Sequence, residues 1–175
     1  MSTAAPSHPH DPAKAAEKVR LASERILGQA EKVIIGQRAV LEQILVGAKE
    51  LTKADGGTVY RVSEDGQNLH FEIIRNDSLA LVMGGTSGLP ISFPPVALSL
   101  PDGQPNHSSV VAHAVLSRAT INIADAYRAE GFDFSGTRAF DQRTGYRSTS
   151  FLTVPMANHE NEIVGVLQLI NARDG

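Results

Sequence analysis

Residues 149–171 read TSFLTVPMANHENEIVGVLQLIN. Two runs rich in β-branched and aliphatic residues, Thr149 to Ala157 and Glu162 to Asn171, flank a polar turn at NHEN, which predicts an antiparallel hairpin. Along the second strand Ile163, Gly165, Leu167 and Leu169 share one face, and Val164, Val166, Gln168 and Ile170 share the other. Both faces are apolar, so both must be covered. Helices can cover one of them. The other requires a different cover, and the segments available are the loop 76–107 and FDFSGTRAFDQRTGY at 132–146. Gln168 is the single polar residue in that run, and a buried amide needs partners, either a bound ligand or a neighbouring backbone.

Upstream, GTVYRVS (57–63) and LHFEIIR (69–75) flank EDGQN. An Asp-Gly turn between two β-rich runs predicts a second antiparallel hairpin. SSVVAHAVLSR (108–118) predicts a short helix opened by a serine cap, followed by a short strand at Thr120 to Ile123. Between these lies NDSLALVMGGTSGLPISFPPVALSLPDGQPNH (76–107), rich in glycine and proline yet carrying Leu79, Leu81, Met83, Ile91, Phe93, Val96 and Leu98. So irregular and so apolar a segment reads as a packed functional loop or lid, or as an insertion on the sheet edge.

Before residue 54 the pattern is helical. Val19, Ala22, Ile26, Ala30 and Val33 form a sparse stripe, and Val40, Leu41, Ile44, Leu45, Ala48 and Leu51 a broader one, with Gly36 between. This divides the chain into a disordered leader (1–12), a connector or dimer helix (13–36) and a domain (37–175) with its own first helix to residue 53; alternatively, both helices cover one core. A homodimer through the N-terminal helices is the expected assembly.

Composition narrows the functions. One ordinary core is what 175 residues with 42% hydrophobic and 20% charged residues can enclose. A net charge of -3 with mixed signs offers no basic stripe for nucleic acid. No apolar run approaches the roughly 20 residues that span a bilayer, and MSTAAPSHPHDP lacks a signal peptide's apolar region, so a cytoplasmic protein with no membrane partner is expected. The absence of cysteine removes disulfides, thiolate metal sites and thiol nucleophiles.

Catalytic readings find little support. Asp133 and Asp141 are a candidate carboxylate pair, but nothing in the sequence fixes their separation. No HExxH or GxSxG occurs, and GGTSG at 84–88 lacks the lysine of a phosphate loop. His107 and His113, six residues apart, do not share a helical face, which argues against a common metal site. Hydroxyls and carboxylates without an activated nucleophile suit a pocket wall. No cofactor is expected.

With NIADAY (122–127), FDQRTGYRSTSFLTVPM (140–156) and EIVGVLQLINARD (162–174) in this order, after ADGGTVYRV, the chain resembles a GAF domain of the cyclic-nucleotide-phosphodiesterase type over residues 37–174. NDSLALVMGGTSGLPISFPP and AEGFDFSGTRAFD look more narrowly like bacterial GAF modules ahead of HD-GYP, cyclase or kinase output domains. The resemblance implies an α+β fold: a central antiparallel sheet of about six strands, N-terminal helices on one face and a loop-covered ligand pocket on the other. It implies a noncatalytic small-molecule sensor controlling an output domain, with cAMP or cGMP as ligand; the alternative is a dimerisation module of the same fold without a ligand. Carried over by position, the pocket comprises Thr58, Val111, Asp141, Thr144, Ser148 and Gln168, with Arg143 or Arg147 available to a phosphate; Tyr146, beside the Thr-Gly turn, is placed to lie over a base. GAF-type reductases of free methionine sulfoxide use cysteines that are absent here, and haem held by His113 is a further, weaker implication. Asn171 matches the start of the family's closing signature, whereas Ala172 stands where that signature has lysine and the closing helix is missing.

Overall fold

In the computed structural model, residues 37–172 are described; the expected leader (1–12) and connector helix (13–36) lie outside them. Among the described residues every strand lies in one compact unit, residues 38–175.

A seven-stranded, wholly antiparallel sheet is its centre. Helix α1 (37–52) precedes strands β1 (Gly56–Val62) and β2 (Asn68–Asn76), which make the first hairpin. Then come β3 (Leu81–Gly84), β4 (Val96–Ala97), helix α2 (Val110–Ser117), β5 (Ile121–Ile123), helix α3 (Ser135–Thr144) and the closing hairpin of β6 (Phe151–Ala157) and β7 (Ile163–Ile170). The spatial order is β3-β2-β1-β7-β6-β5, with β4 also on β2. Both hairpins, the short helix and the strand before 124 therefore form where the sequence patterns put them, and the fold is the α+β arrangement expected.

The segment 76–107 differs from the irregular loop that its glycines and prolines suggest. Its two ends pair with β2, β3 against Ile73–Asn76 and β4 against Asn68–Leu69. The rest of the segment stands away from that ladder, with one isolated bridge between Ser99 and Pro105. Gly84 makes the turn after β3, with φ 66° and ψ -164°, a backbone conformation essentially reserved to glycine.

Helix α1 covers one face. Leu41, Leu45 and Ala48, at spacings of four and three, pack on Val59, Ile73, Leu167 and Leu169. Leu45 is fully buried. Truncating it to alanine would cost about 2–5 kcal/mol. Helix α2 is capped by the Ser109 side chain and lays Val111 and Ala112 on the other face, against Tyr60, Leu69, Leu98 and Val166. A third cluster, Val110, Ile123, Ala126, Phe134 and Phe151, closes the β5 end. Between the second and third clusters the sheet keeps a hollow.

A bulge shapes that hollow. In the β1–β2 ladder Val59 pairs with Ile73 and Tyr60 with Phe71, so Glu72 is the extra residue. The slip changes the side-chain parity of β2: Ile73 joins the α1 core while Phe71 turns to the opposite face.

Candidate functional site

A cavity of about 690 Å³ occupies the face of the sheet opposite α1. That volume is in the range of small-molecule sites. A second depression, about 720 Å³, lies between α1 and the β2–β3 turn, lined by Lys49, Lys53, Asp55, Arg75 and Asp77 among others. Its charges are largely matched within the chain: Lys49 pairs with Asp77 at 2.6 Å and Arg75 with Glu42. Convergent polar groups within an apolar, aromatic wall occur only in the first, which is therefore the candidate site.

Its floor is a row of side chains across three strands. Thr58 of β1 is in register with Gln168 of β7, and Gln168 with Thr153 of β6. Gln168 Nε2 donates to Thr153 Oγ1 at 3.1 Å, and its Oε1 accepts from the Tyr60 hydroxyl at 3.4 Å. Among the described residues this uses one amide hydrogen and one lone pair, leaving the other of each to the cavity, which Gln168 lines. Burial pushes the Tyr60 phenol well above its usual range, against a smaller opposing effect of the Thr58 hydroxyl. The floor is polar and uncharged.

The walls come from α2, α3 and the loop after α3. Ser109, Val110 and Val111 bring the start of α2 to the cavity, and Phe140 and Arg143 bring α3. Along the cavity runs a chain of rings: Tyr60 to Phe71 at 4.6 Å, Phe71 to Phe93 at 5.5 Å and Phe93 to Phe140 at 6.5 Å. Phe93, from the segment between β3 and β4, thus joins β2 to α3 without filling the space.

Of the seven residues singled out from the sequence, Thr58, Val111, Tyr146, Ser148 and Gln168 line this cavity. Asp141 and Thr144 do not. Asp141 is buried beneath the wall, where its carboxylate accepts from the Ser148 backbone N–H and hydroxyl, each at 2.8 Å, and from the Tyr127 hydroxyl at 2.7 Å. Thr144 is exposed at the end of α3, its hydroxyl donating to the Phe140 carbonyl at 2.9 Å. Asp133 is exposed and accepts the Ser135 N–H, which holds its carboxyl below the usual range; it shares no partner with Asp141. Of the two arginines, Arg143 lines the cavity while Arg147 stacks on the Tyr127 ring at 4.0 Å.

Tyr146 presents its ring to the cavity and anchors its hydroxyl outside. The hydroxyl donates to Asp55 Oδ2 at 2.6 Å and accepts from Asn171 Nδ2 at 2.9 Å. Burial, then the bond to Asp55, pushes its pKa up to about 12. Asn171 also accepts from Thr149 N at 2.7 Å and donates to the Arg147 carbonyl at 2.8 Å, tying the end of β7 to the loop entering β6. Phe71, Phe93, Phe140 and Asn76 line the cavity although the sequence does not mark them as site residues. Phe71 is legible there only as core because the bulge that turns it has no sequence signature, and Asn76 is obscured because it lies at a strand end.

Comparison with known proteins agrees with this geometry. The family model for the GAF domain matches residues 38–175. A cGMP-specific 3',5'-cyclic phosphodiesterase of Drosophila ananassae is 26% identical over 140 residues, which is 76% of this chain and 11% of that protein. The Drosophila melanogaster protein of the same description is 25% identical over 138 residues, 76% of this chain and 11% of its own length. The chain thus spans about a tenth of these relatives. Among solved structures, the GAF domain region of a Geobacter sulfurreducens membrane protein superposes with TM-score 0.50 at 17% identity, covering 76% of this chain and 74% of that one. The GAF domain of a Coxiella burnetii phosphoenolpyruvate-protein phosphotransferase does so with TM-score 0.50 at 13% identity, covering 78% and 67%. Among the described residues, no helix is long and apolar enough to cross a membrane.

Proposed function

The chain belongs to the GAF domain family, a regulatory small-molecule-sensing fold of signalling proteins, and from that premise we propose that its cavity binds a cyclic nucleotide, cAMP or cGMP, without transforming it. The observation that carries this reading is the uncharged polar floor of Thr58 and Gln168 within an aromatic lining. A purine is planar, stacks on rings such as Phe71 and Phe93, and offers donor and acceptor edges to an amide. Arg143 at α3 and the hydroxyls of Ser109 and Ser148 suit a phosphodiester, whose single charge needs one cation rather than a basic cluster. A noncatalytic role is favoured because the wall holds no paired nucleophile and base and the chain has no cysteine. The named relatives are cGMP-specific phosphodiesterases, which supports the ligand class and, beyond it, control of an output domain elsewhere in a longer protein. Closure of Phe93 over the ligand shifts an output only if the ligand binds one arrangement more tightly than the other.

The second reading, a dimerisation module without a ligand, is favoured by the outer side of α1. Val40, Ile44 and Leu51 are 59%, 43% and 88% exposed and recur at spacings of four and seven, a stripe fit for a second copy of the helix.

Thermal shift and calorimetry of the whole chain with cAMP, cGMP, cyclic dinucleotides and linear nucleotides test the first reading. A ligand at one hundred times its Kd adds about 2.7 kcal/mol, roughly 5–11 °C for a chain of this size. Gln168→Ala and Thr58→Val should abolish the shift. No response to any nucleotide, together with a dimer in sedimentation, would replace it with the second reading.

A further inference from the structure

We propose that His107 and His113 form a two-histidine site for a divalent transition metal ion of the copper or nickel type. Six residues apart, they would point to different sides of a single helix, but they do not share one. His107 lies just before α2 and His113 in its second turn, so the chain folds one imidazole back onto the other. Their Nδ1 atoms are 3.0 Å apart, with ring centroids at 4.9 Å and planes at 69°. Neither ring lines the nucleotide cavity, so the site is independent of the ligand proposed there.

The backbone and its neighbours hold this pair in place. Asn106 Oδ1 accepts from Ser108 Oγ at 2.8 Å and Ser109 N at 3.3 Å, while its Nδ2 donates to the Ala97 carbonyl at 2.8 Å. His107 N donates to the Pro105 carbonyl at 3.0 Å and His113 N to the Ser109 carbonyl at 2.8 Å. The Phe132 ring meets His113 edge-on at 5.4 Å and limits its rotation. The backbone that carries the two rings is thereby fixed, which reduces the freedom left to be lost on binding.

The separation also selects among metals. An ion about 2.1 Å from both nitrogens would see them at about 90°, the cis angle of tetragonal Cu²⁺ or Ni²⁺, whereas tetrahedral zinc would require about 3.4 Å. In the metal-free pair one Nδ1 carries a hydrogen and donates it to the other. On binding, that hydrogen moves to the Nε2 of its own ring, both Nδ1 lone pairs turn to the ion, and no electron is transferred. His107 is exposed and His113 half-buried, so water has access to the remaining coordination positions. Among the described residues no third histidine or carboxylate joins the pair. The bound ion would clamp the end of the 76–107 segment to α2, whose Val110 and Val111 form part of the cavity wall.

The test uses the full chain carrying His8→Ala and His10→Ala, which removes the imidazoles of the N-terminal segment from competition. Cu²⁺ is titrated by calorimetry and the bound ion examined by electron paramagnetic resonance, with Ni²⁺ and Zn²⁺ compared. The expected result is one saturable site whose nitrogen hyperfine pattern reports two imidazoles, with Zn²⁺ bound more weakly than Cu²⁺. His107→Ala and His113→Ala should each weaken it about tenfold or more. A single-nitrogen spectrum, which is read without either variant, would overturn the proposal. So would an affinity that survives either replacement.

Discussion

Asp141 takes both hydrogen bonds that Ser148 can donate, from the backbone N–H and from the hydroxyl, each at 2.8 Å. With the Tyr127 hydroxyl at 2.7 Å, a buried carboxylate seven residues upstream fixes the loop that returns from α3 to β6. Its link to the cavity is therefore the position of Ser148, which lines it.

Asp141→Ala should consequently be a stability variant first. It leaves a buried hydroxyl and N–H without their acceptor, a loss of about 3 kcal/mol from charge-assisted bonds. A thermal melt should fall by roughly 6–12 °C. An unchanged melting temperature with lost nucleotide binding would put the carboxylate in direct contact with ligand instead.

Gln168→Ala should separate binding from folding. Tyr60 and Thr153 lose an amide partner, but only one neutral bond is shorter than 3.4 Å, so the cost should be about 1–2 kcal/mol. Nucleotide response should disappear while the fold persists, measured by calorimetry beside circular dichroism. Retained binding would remove Gln168 from the recognition of the ligand.

The two glycines at the ends of the turn after β3 should behave differently. An added Cβ at Gly84 falls within the van der Waals shell of the Glu72 carbonyl oxygen and onto Ile91, at φ 66°. At Gly88, φ 70°, nothing lies within 4 Å. Gly88→Ala should cost about 1–2 kcal/mol for its conformation alone. Gly84→Ala should cost about 3 kcal/mol or more, since the ladder between β2 and β3 must move. Chemical denaturation of both variants gives the comparison, and equal losses would contradict it.

What the sequence made legible depends on the range of its signals. Alternation in 162–171 assigned the two faces of β7 correctly, because side-chain parity is local: Leu167 and Leu169 pack under α1, and Gln168 faces the cavity. Parity alone would not carry over to β2: period two would put Leu69, Phe71 and Ile73 on one face, whereas the Glu72 bulge sends Ile73 to the other. The strands at 81–84 and 96–97 were hidden among glycines and prolines because they are recruited by the edge of β2 rather than by propensity. Asp141 and Thr144 stand in the right motif, but a pattern specifies residue types, not whether a carboxylate faces inward to Ser148 or outward to a ligand. His107 and His113 met because His107 lies in the turn before α2 and not on the helix that carries His113.

Stability should fall at both ends of the pH range, for opposite reasons. At the acid end Glu42 of α1 accepts from Arg75 and from the backbone and hydroxyl of Thr86. Burial raises its pKa, but the bonds from Thr86 and Arg75 outweigh burial and hold it below its ordinary 4.5. A depressed carboxyl stabilises the fold above its unfolded pKa, and that contribution is lost as pH falls below 4.5 through the folded value. At the alkaline end Tyr146 is raised from 10.0 to about 12 by burial and by its bond to Asp55. A raised phenol stabilises the fold fully below pH 10, and its contribution is lost between 10 and about 12. Tyr127 is raised as well, chiefly by its bond to Asp141, and Tyr60 by burial, so all three tyrosines of the chain act in the same direction. Absorbance at about 295 nm, which reports tyrosinate, should stay low past pH 10 in the native protein and rise only as the fold is lost. Glu42→Gln should weaken the acid limb and leave the alkaline one, and Tyr146→Phe should lessen the alkaline limb, which Tyr60 and Tyr127 still maintain in part, and leave the acid one. If Tyr146→Phe leaves the alkaline limb unchanged while tyrosinate appears at its ordinary pH, the Asp55–Tyr146–Asn171 anchor is not closed in solution, and the cavity wall it holds is free to move.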